Sequence, residues 1–429
     1  MPATATLTQT SLNTPVIRRL DNGLTIVAEQ MPVDAVNLNV WLNVGSIYEA
    51  DEINGMAHFL EHMVFKGTPK LESGEFERAI EERGATTNAA TSQEYTHYYI
   101  TTAPKDFADL APLQLEVVLN PSLADRPFER ERMVVLEEIR RSQDNPSRRT
   151  YARAMETCFN RLPYRRPVLG LTDTIEGLSA GQMRDFHRHW YAPENITAAV
   201  VGNLPVEELL DIVAEACDRA YSHGGDRSAP ISPSFNPEPI FKEVVRHEER
   251  DPQLQQSRLV MLWRVPGKAE LTTSYALDVL AAILGQGRMS RLFRDLREER
   301  KLVSSIGTSN ITQGIQGVFY IAAQLPEKNI AEVECIILDH MRRFREEPVD
   351  PAELFRIRAQ VANRFVFANE RPSDRANLYG YYQSQMGTLT PALTYPDRLR
   401  AIEAEDIQKV AREYLNPEAY GAVVMKEKE

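Results

Sequence analysis

Trp190-Tyr191-Ala192-Pro193-Glu194-Asn195-Ile196 decides the architecture of this chain, because it returns 224 positions later as Tyr414-Leu415-Asn416-Pro417-Glu418-Ala419-Tyr420. Each copy ends a helical pattern, turns at Pro-Glu and opens an apolar, strand-forming run. The helices before the two copies align at the same offset, Met183 with Ile407 and Ala180 with Ala404, and the strands after them align too, Val200 with Val424. A repeat unit this long means a duplicated lobe and not a solenoid of short units. Between the copies, residues 222–239 hold four prolines and two glycines, a composition that forbids a continuous element. The expected division is therefore an N-terminal lobe over 1–221, a linker over 222–239 and a C-terminal lobe over 240–429.

Both lobes read as α+β. Val16 to Leu20, the Asp21-Asn22-Gly23 turn and Leu24 to Val27 predict a hairpin. Val36, Leu38, Val40, Leu42 and Val44 alternate with Asn37, Asn39, Trp41 and Asn43, the period of a half-buried strand. Helical patterns follow near 54–65, 74–82, 106–118, 127–143, 150–160 and 180–190, with strands near 85–90, 94–102 and 196–202. The second lobe repeats the style, with strands near 241–246, 254–265, 303–311 and 316–323 and helical stretches over 271–298 and 327–386. Each lobe is expected to be an antiparallel-rich sheet with helices packed on one face.

Composition narrows the function. The chain has 429 residues, enough for several domains, with 43% hydrophobic and 26% charged side chains. It contains no uninterrupted apolar run of membrane-spanning length, so no membrane partner is expected. Lys plus Arg (49) against Asp plus Glu (61) leaves a net charge of -12, which argues against a nucleic-acid partner. Three cysteines, at 158, 217 and 335, are too sparse for a disulfide framework, fit a reducing compartment and read as buried small apolar groups on helices. The opening residues lack a secretory pattern, and the hairpin from Val16 leaves little room for a cleavable presequence. The cytoplasm is the expected location, with an organelle interior as the alternative.

One short stretch carries chemistry. In Gly55-Met56-Ala57-His58-Phe59-Leu60-Glu61-His62-Met63, His58 and His62 stand one helical turn apart, so both imidazoles can reach one metal ion while Glu61 sits beside them. This is the His-x-x-Glu-His order of the inverted zincins. Two histidines do not complete a catalytic zinc site, so a third ligand must come from elsewhere. The charged helical pattern from Arg130 to Arg141 offers Glu131 and Glu138, two turns apart on one face, though such a pair by itself is usually a solvated surface.

The motif, with Glu131 and Glu138 downstream, resembles the pitrilysin and mitochondrial-processing-peptidase family of zinc metallopeptidases. Further stretches share the resemblance: Gly84 to Thr91 is similar to the family's substrate-binding edge strand, Tyr191 to Asn195 to its helix-to-strand junction, and Gly285 to Leu292 to a second-lobe helix start. The resemblance implies that His58, His62 and Glu138 bind zinc, one Zn2+ per chain, that Glu61 activates water, and that Glu131 supports the site. It implies a zinc-dependent endopeptidase in which zinc acidifies water and polarises the scissile carbonyl. Asn88, Ala89, Ala90 and Thr91 would hold peptides or unfolded, presequence-like segments extended by strand pairing. The alternative is a non-catalytic assembly subunit of the same fold.

One departure bears on partners. Family members often carry a second-lobe Arg and Tyr seven apart that contact substrate across a closed chamber. Here Arg297 is kept and Ser304 stands at the Tyr position. Two lobes make half of a four-lobed chamber, so a dimer is implied, and Ser304 favours a heterodimer with a zinc-less homologue over a homodimer. His97, between Tyr95 and Tyr99 on a strand, reads as a structural histidine, His187 and His189 as surface or packing residues, and the arginine runs 291–300 and 342–345 as solvated helix faces.

Overall fold

The computed structural model describes residues 14–221 and 234–428, so residues 222–233 of the expected linker lie outside the described residues. The first sheet is built from β1 (Val16–Arg19), β2 (Thr25–Gln30), β3 (Val36–Leu42), β4 (Thr86–Thr91), β5 (Thr96–Thr102) and β6 (Ile196–Gly202), in the order β1-β2-β6-β3-β5-β4. The second contains β7 (Val245–Arg250), β8 (Ser257–Pro266), β9 (Ser305–Ile311), β10 (Gln316–Leu325) and β11 (Gly421–Lys426), in the order β7-β11-β8-β10-β9. Apart from the extra edge strand β1, the two orders are the same. In each sheet the strand that follows the repeated Pro-Glu turn sits inside, parallel to one neighbour (β2 or β7) and antiparallel to the other (β3 or β8). The lobes are thus α+β and share one topology.

Proline and glycine set most element ends. The expected helical stretch 327–386 is three helices, Ile330–Glu346, Pro351–Phe367 and Pro372–Met386, the last two opening on a proline whose missing N–H is not needed there. The stretch 271–298 breaks after Leu271–Gly285, where Gly287 takes φ 91°, and resumes as a wide turn over Phe293–Glu299. The helix Val206–Tyr221, absent from the sequence reading, buries Leu209, Leu210, Val213, Ala216, Cys217 and Ala220 on one face.

Strand β3 corrects the expectation of a half-buried strand, since all seven residues are buried. Its polar side makes internal contacts: Asn37 Nδ2 donates to Ile100 O, Asn39 Oδ1 meets His97 Nδ1 at 3.0 Å, and Trp41 stacks on His97. What covers that side comes from the other lobe. The helix Pro372–Met386 lies across it, with Ala376 and Tyr379 clustered on Val27, Ala199 and Val201. Reciprocally, the helix Pro146–Cys158 of the first lobe packs Ala154, Met155 and Cys158 on Val260, Leu262, Val423 and Met425 of the second sheet. Each lobe therefore lends one helix to the other. Buried polar groups pin the exchange, because the Glu29 carboxylate accepts from Arg375 Nη1 at 2.6 Å and from the Tyr379 hydroxyl at 2.8 Å.

The closest approach is at Gly380, where an added Cβ would lie 2.1 Å from Trp41 Nε1. Trp41 is buried and stacked, so it has nowhere to move. Gly380→Val is expected to cost about 1–3 kcal/mol or more by overpacking, read as a lowered thermal midpoint. An unchanged midpoint would show that this helix is not held against β3.

Candidate metal centre and active site

The motif helix runs from Met56 to Met63 and starts at Gly55, which takes φ 97°. A side chain there would also strike Leu169 O at 2.7 Å, so only glycine fits. The buried Glu49 carboxylate caps the helix, accepting from Gly55 N at 2.8 Å, Ala57 N at 2.7 Å and Asn54 Nδ2 at 2.9 Å. Burial raises the Glu49 pKa, and these donors oppose the rise. Met56, Phe59, Leu60 and Met63 fix the inner face, and Phe59 stacks on Phe128 of the helix Asp125–Asp144 at a ring separation of 4.5 Å. That contact sets the helix bearing Glu131 and Glu138 against the helix bearing the histidines.

Donor atoms of His58, His62 and Glu138 lie within 4.8 Å of one another. Glu138 Oε2 is 3.6 Å from His58 Nε2 and 3.6 Å from His62 Nε2. Glu131 stands behind His62, with Oε1 3.0 Å from Nδ1, a contact that would present Nε2 to a bound ion. Lys66 Nζ holds the other Glu131 oxygen at 2.8 Å. Glu61 Oε2 accepts from Thr91 Oγ1 at 2.6 Å. Two imidazoles and one carboxylate, with one imidazole oriented by a second carboxylate, are the donor chemistry of a zinc site.

The electrostatics suit a cation. Burial and the neighbouring His62 lower the His58 pKa to about 4. For His62, burial works against the charged form, but hydrogen bonds to Glu131 and Glu138 outweigh it and raise the pKa to about 9. The hydrogen bond to His62 lowers the Glu138 pKa, and burial opposes it only in part. Burial raises the Glu61 pKa, with the Thr91 hydrogen bond pulling the other way. Glu61, Glu131 and Glu138 thus surround the two imidazoles with carboxylates.

Beside the donors opens a cleft of about 550 Å³, reached by His58, Glu61, Ala90, Thr91 and Glu138. Strand β4 forms one lip. Among the described residues it is the sheet's outer strand, pairs only with β5, and alternates exposed with half-buried residues, so Asn88, Ala89, Ala90 and Thr91 present an open ladder edge that ends at Glu61. Arg297 stands apart from this cleft, exposed, with its guanidinium 4.6 Å over the Phe293 ring. Ser304 is exposed too and donates to Gln256 Oε1 at 2.5 Å. His97 is a structural residue, held by Asn39. Cys158 and Cys217 are buried as expected, whereas Cys335 is exposed, because the buried stripe of its helix runs through Val333 and Ile337 and turns Cys335 outward.

The sequence reading missed Glu49 and Lys66. Lys66 lies four residues past His62, a spacing that offered a signal. Glu49 precedes the helix at no periodic distance and offered none.

Residues 25–171 match the model for insulinase, peptidase family M16, and residues 177–361 match the model for the peptidase M16 inactive domain. The chain belongs to peptidase family M16. It is 30% identical to an uncharacterised zinc protease of Mycobacterium bovis, over 95% of this chain and 92% of that one. To an uncharacterised zinc protease of Rickettsia bellii it is 29% identical, over 95% and 97% of the two chains. The crystal structure of a protease from Helicobacter pylori superposes with a TM-score of 0.88 at 25% identity, covering 96% of this chain and 99% of that one.

Within this M16 chain, Glu131 has a measurable part. Replacing the carboxylate that orients a histidine ligand typically weakens metal affinity roughly 10–100-fold. Glu131→Gln is expected to lose zinc to a chelator at correspondingly lower concentration, with secondary structure retained. Equal retention by the variant and the wild type would remove Glu131 from the site.

Proposed function

We propose that this chain is a zinc-dependent endopeptidase acting on extended peptide segments. The observation that carries the reading is the convergence of His58 Nε2, His62 Nε2 and Glu138 Oε2, with Glu61 beside them at the end of an open strand edge. Zinc held by the three would supply a Lewis acid for the scissile carbonyl and a water of lowered pKa. Glu61 takes the proton of the attacking water and returns it to the leaving nitrogen, its carboxylate held in place by Thr91. Glu131 keeps His62 in the tautomer that leaves Nε2 available. Main-chain pairing along Asn88 to Thr91 holds the peptide extended, so an unfolded segment is read through its backbone.

A non-catalytic assembly subunit is the second reading, favoured by the inactive-domain description of the model that matches residues 177–361. A structural role has no use for all four of His58, Glu61, His62 and Glu138, which supports catalysis. Elemental analysis and cleavage of a quenched unstructured peptide separate the two: one zinc per chain with cleavage supports the peptidase, whereas zinc without cleavage, alone or with a homologue, supports the assembly subunit.

We further propose a closed chamber made by a dimer, with a zinc-less homologue as the preferred partner, since Ser304 is too short to reach across a chamber. A symmetric dimer of the chain alone that is fully active would overturn that pairing. The cytoplasm is the proposed compartment, in keeping with three free cysteines. Among the described residues no helix is long and apolar enough to cross a membrane.

A further inference from the structure

The cleft beside the metal donors has a charge and polarity that bear on which peptides it takes. One wall is the exchanged helix Pro146–Cys158, which contributes Tyr151, Ala152 and Met155. Pro167, Val168 and Leu169 also line the cleft. These six side chains make an apolar recess, and Met155 is anchored from behind in the cluster that joins the lobes, so the recess does not collapse when empty.

Three arginines join the lining, namely Arg148, Arg165 and Arg166. Arg166 is committed to structure, since it donates to Asp51, Ser46 O and Glu49 O. Arg165 is exposed and only loosely held, 3.9 Å from Asp51. Arg148 is exposed and has no ion-pair partner within 4.0 Å among the described residues. The only carboxylates in the lining are Glu61 and Glu138, the proposed base and a proposed metal donor. Arg148 and Arg165 therefore place on the rim two exposed guanidinium groups without close ion pairs, Arg148 also acting on Glu138 from a distance.

We infer that the cleft takes a large apolar side chain flanked by acidic residues, and that it discriminates against Lys- and Arg-rich, presequence-like segments. The inference rests on the peptidase reading for the cleft's role but concerns binding. An apolar side chain buried among Tyr151, Met155 and Leu169 supplies the affinity. Arg148 and Arg165 supply the choice, attracting Asp or Glu beside it and repelling Lys or Arg.

The test uses zinc-loaded full-length protein carrying Glu61→Gln and two fluorescent unstructured peptides with a central Leu, one flanked by Asp and Glu, the other by Lys and Arg. Fluorescence anisotropy is expected to show the acid-flanked peptide binding about tenfold tighter, the sum of attraction in one and repulsion in the other at exposed arginines. Adding Arg148→Glu is expected to cut that ratio at least to one third, and a central Ala to weaken both peptides. Equal binding, tighter binding of the basic peptide, or an unchanged ratio in the Arg148→Glu protein would overturn the inference. Cleavage of the same peptides by the wild type is a separate readout: binding in the expected order without cleavage overturns the peptidase reading and leaves the cleft's selectivity standing.

Discussion

Glu61→Gln is expected to leave the protein folded and zinc-loaded while cleavage falls by about 10²–10⁴-fold, the usual contribution of a positioned general base and acid. The substitution is nearly isosteric, and its amide can still take the Thr91 hydroxyl hydrogen bond that holds Glu61 Oε2 at 2.6 Å. Glu61 is outside the group of converging donors, His58, His62 and Glu138, so metal content has no reason to change. The amide cannot accept and return a proton, so the loss falls on kcat, with peptide binding retained. Elemental analysis, circular dichroism and a quenched-peptide assay read the three quantities separately. A variant with its zinc intact and cleavage within a few-fold of the wild type would move the base elsewhere. A variant that loses its zinc would make Glu61 a ligand.

Glu94→Ala has the second large effect, on stability. Glu94 sits in the turn between β4 and β5 and is buried, as is its partner Lys268 of the second lobe, whose Nζ lies 2.6 Å from Glu94 Oε2. Gly314 N donates to the other carboxylate oxygen at 2.5 Å, the Tyr164 hydroxyl donates to it as well, and Lys268 Nζ lies 4.7 Å over the Tyr381 ring. Removing the carboxylate leaves the buried ammonium with Gln385 Oε1 at 3.2 Å and takes the acceptor from two donors, a change that costs about 3–5 kcal/mol when one partner of a buried pair is lost. Because Thr91 lies three residues before Glu94, the β4 edge should loosen too, and the proposed cleavage should fall along with the denaturation midpoint. Glu94→Gln keeps the acceptor for Tyr164 and Gly314 and is expected to lose less. Wild-type stability in Glu94→Ala would mean that the pair is solvated in solution.

Local periodicity reveals what depends on local geometry. The histidines one turn apart, the hairpin at Asn22-Gly23 and the duplicated Pro-Glu turn are legible because spacing alone fixes them. Glu131 and Glu138 are visible as one helix face, but their direction toward His62 and His58 depends on Phe59 meeting Phe128, a contact that only the fold makes. The Lys268–Glu94 pair joins residues 174 positions apart, beyond any periodic signal. Strand β3 reads as half-buried in sequence because Asn37, Asn39 and Trp41 look like a solvent face. Nothing near them in sequence discloses that residues from Pro372 onward cover that side. The undivided helical stretch over 327–386 is a different kind of error, since Pro351 and Pro372 are written in the chain and mark both breaks.

The reciprocal loan of helices makes this chain the equivalent of a domain-swapped dimer tied into one polypeptide. A swapped arrangement is mechanically stiff, because neither half can swing away without uncovering the sheet that its helix protects. Here the stiffness reaches the cleft, since Pro146–Cys158 is both the lent helix and a wall beside the metal donors. Parting the two lobes would therefore uncover both sheets and pull one wall away from the metal donors at once.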